Sequence, residues 1–467
     1  MMSLPEKKRA PALLPRRLSI GLLCTLLFLC PPGFTRSGEA GAEKVRPRIW
    51  KVQDAVRFAL GNNPDARTAL RRIEAAAAVV ASEKASFLPQ LTAYSHYTLT
   101  NTPMYSFGNI LNQGAFSEAI DFNNPGHTDS LSFAVRLGYA IFNGWRDQAG
   151  LSAAEAEGAA ARLASAAVRS RLSFEVVRAF NQIVQAGELV RGREAAVADS
   201  EGILRVARAR EQEGVLLRAD LLALEVEHAR RREELSRERH GLALARKVFL
   251  VLLGLEGEEV FLDEVEETPQ EVPQEALSEQ RPELQGAAEL IRAAEERVRL
   301  AGAGHYPSVE GYAGYGVERG EVLDHTGDSW EAGVRLRYNL FDGQRTSAEV
   351  SRAVAVLAEA REQKRKLELA IGLEVEQARL ALLDARERLR TTEESVALAQ
   401  ESVRIYRERF QEGLLLASDL IAAEKRLTEA VVRRAIARGA EKNGVADLRR
   451  ALGLDQFPQG TGGAGQR

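Results

Sequence analysis

The side chains best suited to hold a metal or relay a proton are His96, His127, His228, His240, His305 and His325, and their spacing equips them for neither task. No two of them stand four residues apart with an acid beside them, as a zinc hydrolase helix requires. His228 and His240 lie among charged residues of a polar helical stretch, where solvation is the expected fate. Gly314-Tyr315-Gly316 with Gly320 approximates a phosphate-cradling loop, but the spacing is wrong and no helix follows. Glycines there suit close backbone approach within a sheet. A Gly-x-Ser-x-Gly elbow, a Walker pattern and an acid pair in a cleft are all missing. The sequence predicts no enzyme, no cofactor and no metal site.

Cys24 and Cys30 are the only cysteines. They fall in an N-terminal stretch where Lys7, Lys8, Arg9, Arg16 and Arg17 precede an apolar run from Leu18 to Cys30, and where Ala40-Gly41-Ala42 offers small residues for cleavage. Thirteen apolar-run residues are fewer than the about 20 that a spanning helix needs, so residues 1–42 are expected to be a signal peptide, with an uncleaved anchor as the competing interpretation. Leu27-Phe28-Leu29-Cys30 faintly resembles a lipidation box, against which bulky Leu29 and Pro31-Pro32 both argue. The remainder would hold no thiol for a disulfide or nucleophile. Removing the six Lys/Arg and two Asp/Glu of 1–42 takes the net charge from -3 to -7, which invites no nucleic acid.

With chemistry so sparse, the elements carry the information, and they are written twice. Pro64, Pro89, Phe142-Asn143-Gly144, Glu213-Gly214 and Leu253-Gly254-Leu255 recur as Pro282, Pro307, Phe341-Asp342-Gly343, Glu412-Gly413 and Leu452-Gly453-Leu454. The prolines are 25 residues apart in both copies, and Gly144 to Gly214 and Gly343 to Gly413 are each 70. The offset changes from 218 at the prolines to 199 from Phe142 onward, so the first copy holds 19 extra residues, assigned to an outward-facing loop within 101–129. The expected organisation is a first repeat over 43–255 with a hairpin at about 90–142, an acidic linker over 256–281, a second repeat over 282–457 with a hairpin at about 308–341, and a disordered tail over 458–467. Residues 256–283 carry eleven Asp/Glu against the single Arg281, as an exposed connector does.

From Asp147 to Gln212 there is no proline, and Ala, Arg, Glu and Leu dominate. At 1.5 Å per residue that is a helix of about 100 Å, repeated over 344–411. Helices expected over 65–87 and 218–253, and over 283–305 and 417–452, sum to nearly the same lengths, so two short helices stacked end to end pair alongside one long one. Leu373, Leu380, Leu383, Leu389 and Val396 recur at coiled-coil steps.

Elsewhere the period falls to two. Trp330, Ala332, Val334, Leu336, Tyr338 and Leu340 alternate with Glu331, Gly333, Arg335, Arg337 and Asn339, and Phe133 to Ile141 repeats the pattern in the first copy. Runs of this length suit a tilted strand crossing a bilayer. Residues 90–100 and 308–318 supply weaker partners, giving one hairpin per copy. Four strands cannot close a barrel in lipid, because the open edges would leave backbone groups unpaired. The competing interpretation is a half-buried hairpin in a soluble domain; an export signal, strand length and aromatic ends favour the barrel.

Taken in order, Ala55 to Asp65 with Asn62-Asn63-Pro64, Tyr139 to Gly144, Tyr338 to Gly343, Glu213 to Leu221, Glu412 to Leu420 and the Leu-Gly-Leu ends resemble the TolC family of outer-membrane efflux proteins. The resemblance covers nearly all of the chain after residue 42. It implies a mainly α fold with a membrane β-barrel contribution, in which a homotrimer gives four strands per protomer to one 12-stranded barrel and its helical hairpins form a periplasmic α-barrel. It further implies a passive exit duct of a tripartite efflux or type I secretion system in the outer membrane of a Gram-negative bacterium. The implied partners are a periplasmic adaptor (membrane fusion) protein, an inner-membrane pump of RND or ABC type and outer-membrane lipid. The hairpin tips, Gly214, Val215, Leu216, Gly413, Leu414 and Leu415, match the family's periplasmic entrance and adaptor contact. In a three-fold assembly Asp220 and Asp419 would each form a ring of carboxylates able to favour cations, or else would cap the returning helix. Ala422 and Leu415 depart from an acid and a base that relatives can carry. A soluble envelope coiled-coil scaffold without transport function is the alternative.

Overall fold

The computed structural model describes residues 49–257, 259–263 and 280–457. The expected signal peptide (1–42), most of the acidic connector and the Gly-rich tail lie outside the described residues; the architecture below is that of the unit spanning 47–467.

In the first copy α1 (Val52–Asn62) and α2 (Pro64–Ala85) lead to β2 (Gln90–Thr100), α3 (Pro103–Asn112) and β3 (Thr128–Phe142), then to α4 (Arg146–Gln212) and α5 (Arg218–Leu253). The second copy runs α6 (Pro282–Gly302), β5 (Ser308–Gly320), β6 (His325–Arg337), α7 (Arg345–Gln411) and α8 (Ala417–Ala451). A two-residue parallel ribbon, β1 (Ile49–Trp50) with β4 (Phe261–Leu262), ties the chain's start to the beginning of the connector.

Local chemistry explains the boundaries. Pro64 opens α2, where its missing N–H is no loss, and the Asn63 side chain accepts from the Asp65 amide at 2.7 Å. The Phe-Asn-Gly and Phe-Asp-Gly motifs make the strand-to-helix turn. Gly144 and Gly343 take positive φ, as do Trp145 and Gln344 after them, and the Asp342 carboxylate accepts the Thr346 amide at 3.0 Å and its hydroxyl at 2.5 Å. Asn143 makes the longer equivalent to the Asp147 amide. The helices α4 and α7 that follow have 67 residues each, about 100 Å.

The short helices do stack end to end. Asn63 donates from its carboxamide to Leu252 O at 2.9 Å, joining α5 to α2, and Arg281 donates to Ala451 O at 3.4 Å, joining α8 to α6. On the strand side of these joints α2, α4, α6 and α7 lie in that order; on the other side the order is α5, α4, α8 and α7. The main core sits at the first joint, where Trp50 packs edge-on against Phe58 and Phe249 and where Leu172, Val176 and Phe180 of α4 close over it.

The four long strands form one antiparallel sheet in the order β2-β3-β5-β6, so the copies meet in the middle, β3 on β5, and β2 and β6 are left as unpaired edges. The pairing Tyr97 with Leu131, Val135 with Tyr315 and Tyr315 with Trp330 puts the exposed Tyr97, Leu131, Tyr315 and Trp330 and the half-buried Val135 on one face. The other face is polar. Arg136 and Glu331 form an ion pair at 2.9 Å across Gly314, and Arg335 pairs with Glu310 at 3.5 Å. A sheet with an outward apolar face and an ion-paired inner face is the wall of a membrane barrel with an aqueous lumen. Among the described residues no helix is long and apolar enough to cross a membrane.

One expectation changes. The 19-residue excess is not a plain outward loop: it carries α3, and α3 packs back against β3 and β6.

Candidate functional site

The two helical hairpins end side by side. Gly214 and Gly413 adopt φ of 76° and 81°, the left-handed conformation that closes a helix and favours glycine, and Val215 and Leu414 then donate backwards to Arg210 O and Arg409 O at 2.9 and 3.0 Å. Leu204, Ala207, Leu221 and Leu224 of the first hairpin meet Phe410, Ala417 and Leu420 of the second in a shared tip core.

This geometry sorts the leucines differently from their order in the sequence. Leu216 and Leu415 turn inward against the tip core, whereas Val215, Leu217, Leu414 and Leu416 stay exposed. Leu217 and Leu416, which the sequence reasoning did not single out, are therefore surface residues of the tips. No pattern in a five-residue turn distinguishes them, because the left-handed glycine resets the direction of every residue after it.

Asp220 and Asp419 occupy the first turns of α5 and α8. The capping alternative fails for both: the positions preceding the helices are Leu217 and Leu416, and no side-chain cap bond forms at either. A carboxylate in a first turn is still favoured by the helix dipole. Among the described residues no cluster of His, Cys, Asp and Glu is arranged to hold a metal ion.

The tips are fastened together by two devices. Arg210, on α4, donates to Phe410 O at 2.6 Å and Gln411 O at 2.5 Å, satisfying carbonyls at the open end of α7, and its guanidinium lies over the Phe410 ring. Farther from the tip, Arg231 of α5 and Glu424 of α8 form an ion pair at 2.7 Å with side chains only 6% and 4% exposed. Arg407 joins Glu424 at 3.0 Å and Asp199 at 2.6 Å. Burial lowers the Arg407 pKa, but the bonds it donates to Asp199 and Glu424, and their charges, outweigh it and the net shift is upward. Three helices thus meet at the Glu424 carboxylate, and Asp199 of α4 joins the cluster through Arg407. Arg231 and Glu424 are 193 positions apart in sequence, and Asp199 and Arg407 are 208 apart, so only the fold brings them together.

An outer membrane efflux protein family model matches residues 55–249 and 272–454. Among solved structures, the chain is similar to the outer membrane protein VceC of Vibrio cholerae, with 20% identity, 87% of this chain and 97% of that one covered, and a TM-score of 0.74. It is likewise similar to the CmeC outer membrane channel of Campylobacter jejuni, at 17% identity, 90% and 92% coverage and a TM-score of 0.75. The open state of the MtrE outer membrane channel of Neisseria gonorrhoeae matches at 17% identity, 87% and 90% coverage and a TM-score of 0.70. No curated protein matches the chain.

Proposed function

The chain belongs to the outer membrane efflux protein family, and from that premise we propose that three copies close into one duct which docks its helical tips on a periplasmic adaptor served by an inner-membrane pump. It is an outer-membrane channel of an efflux system, a passive conduit with its helical part in the periplasm. Channels, not enzymes, make up this family.

The observation that carries the trimer is the pair of unpaired edges. The sheet ends in β2 on one side and β6 on the other. The helical wall ends in α7 on one side and in α2 and α5 on the other, and these edges bear exposed apolar residues: Leu369, Leu373 and Leu380 on α7, Leu70 and Val79 on α2, Val226, Leu244 and Val251 on α5. An edge that differs on its two sides joins head to tail and closes a ring. Three chains of four strands make twelve, within the range of known barrels, and leave no edge in lipid. Outer-membrane preparations run unheated on a denaturing gel are expected to give a trimer that heating converts to protomer; a monomer that keeps its native spectrum in detergent would refute the ring.

Adaptor docking is supported by the exposed Val215, Leu217, Leu414 and Leu416, apolar side chains clustered at the far end of the two helical hairpins. Leu217→Cys and Leu416→Cys are expected to cross-link to the adaptor in cells, and Leu216→Cys, turned into the tip core, is not. Gly214, Val215, Gly413 and Leu414 form the rest of that contact, with Asp220 and Asp419, in the first turns of the returning helices, as the candidate acidic rings of the entrance.

A further inference from the structure

The segment joining β2 to β3 lies on the wrong side of the sheet for a surface loop. Its helix α3 presents Ser106 and Ile110, and the Gln113 that caps it, all buried, towards the body of the protein. Gln113 donates to Asp129 O at 2.7 Å, and Asn112 donates to the Glu318 carboxylate at 3.2 Å. Glu318 is on the same face of the sheet as Arg136 and Glu331, the polar inner face. Two glycines permit the approach: a Cβ on Gly320 would overlap the Gln113 side chain, and one on Gly327 would overlap Asn112 O. The segment also has a small core of its own, with Phe107 edge-on to Phe122 at 4.8 Å and to Phe116 at 6.1 Å. It is a packed unit docked inside the barrel wall.

On the opposite side of α3, away from the docked residues, stand Met104, Gly108 and Leu111. Met104 is 84% exposed and Leu111 50%, and the space beside Gly108 is open. An apolar stripe facing water in the lumen needs a partner, and the ring supplies one. Twelve strands about 4.8 Å apart and tilted about 40° enclose a barrel about 24 Å across, so the axis lies about 12 Å from the wall. A helix with its side chains is about 10–12 Å thick. Three copies of α3, one on each third of the wall, reach one another at the axis.

We propose that residues 101–127 form an inward-folded plug, and that in the assembled channel three copies meet through Met104, Gly108 and Leu111 and close the outer mouth. The occupant of the apolar stripe is a second copy of this chain. The inference rests on the three-fold ring proposed above. It gives the channel a barrier at its external end, separate from the helical tips.

Residues 43–467 contain no cysteine, so Met104→Cys places a single thiol in that stretch. Intact cells treated with a short bismaleimide are expected to yield covalent dimers of this variant after heating, the limit for one thiol per protomer. Thiols that react with a monofunctional maleimide but give only protomer, in a protein that still runs as a trimer unheated, would overturn the plug and leave the ring standing. Loss of the unheated trimer from the unsubstituted protein would overturn both. A second measurement does not need the α3 thiol: Ser329→Cys, exposed on the inner face, is labelled from outside the cell by a bulky maleimide. Deleting 103–122 is expected to raise that labelling rate several-fold; an unchanged rate in a correctly assembled trimer means that the segment closes nothing.

Discussion

The two copies of this chain share a skeleton and spend it differently. Arg208 and Glu225 of the first hairpin stand where Arg407 and Glu424 stand in the second, 199 residues on, and both pairs form at 3.0 Å. In the first pair the side chains are 57% and 34% exposed; in the second Glu424 is 4% exposed and takes up Arg231 as well. At the other end of the molecule, β2 and β3 are joined through a packed helix while β5 and β6 are joined by residues 321–324. Duplication preserved spacing, and position within the folded chain decided which copy's residues became structural. A carboxylate at the same position of the repeat is a more exposed surface group in one hairpin and the meeting point of three helices in the other.

The largest expected effect tests that contrast directly. Glu424→Ala takes from buried Arg231 its 2.7 Å partner and leaves it only Glu227 at 3.4 Å, which should cost up to about 3–5 kcal/mol, whereas Glu225→Ala, at the matching surface pair, should cost less than about 1 kcal/mol. Denaturant midpoints of the two variants in detergent measure the gap, and equal losses would break the comparison. Replacing both partners, Arg231→Met with Glu424→Leu, should recover most of the loss.

Arg210 and Arg409 sharpen it at the next level. They too are equivalent positions, yet Arg210 holds two carbonyls of the other hairpin and Arg409 has no such bond among the described contacts. Arg210→Ala should cost about 1.5–3 kcal/mol, the range for hydrogen bonds to a charged group, and Arg409→Ala within about 0.5 kcal/mol of zero. The unfolding temperature of each variant checks this.

The smallest expected effect concerns the second joint. Burial pushes the Glu374 carboxyl up, but hydrogen bonds from Arg281 and Arg450, both at 2.5 Å, hold it below its ordinary 4.5. A group depressed in the folded state stabilises the protein fully above its unfolded value and loses that contribution as pH falls through the folded one. Stability should therefore decline below about pH 4.5, and Glu374→Gln should flatten that decline. The first joint, held by the neutral Asn63 carboxamide, should contribute no such slope.

Much of this architecture was legible in the sequence. Proline-free stretches placed the long helices at 147–212 and 344–411, against Arg146–Gln212 and Arg345–Gln411 observed, because a helix of that length announces itself in every turn. The strand pairs were legible from their period of two, and the tip glycines from their repetition. Other features were hidden for definite reasons. The helix α3 spans only ten residues in a segment the second copy lacks, so no repetition marked it, and its docking depends on Gly320 and Gly327, two hundred residues away. The cluster around Glu424 unites residues from four helices whose partners no local pattern reveals. The β1 and β4 ribbon is two residues wide, shorter than any period can register.

The junction of β3 with β5 governs how such a chain can be made. Ser130 and Glu318 bond across 188 residues, with three complete helices, α4, α5 and α6, translated between them. A nascent polypeptide halted before residue 308 owns a solitary hairpin, marginal in water, and closure over so long a loop is slow. Biogenesis must therefore keep two apolar strands soluble until the second half has emerged, and this interval is when the molecule is most exposed to aggregation.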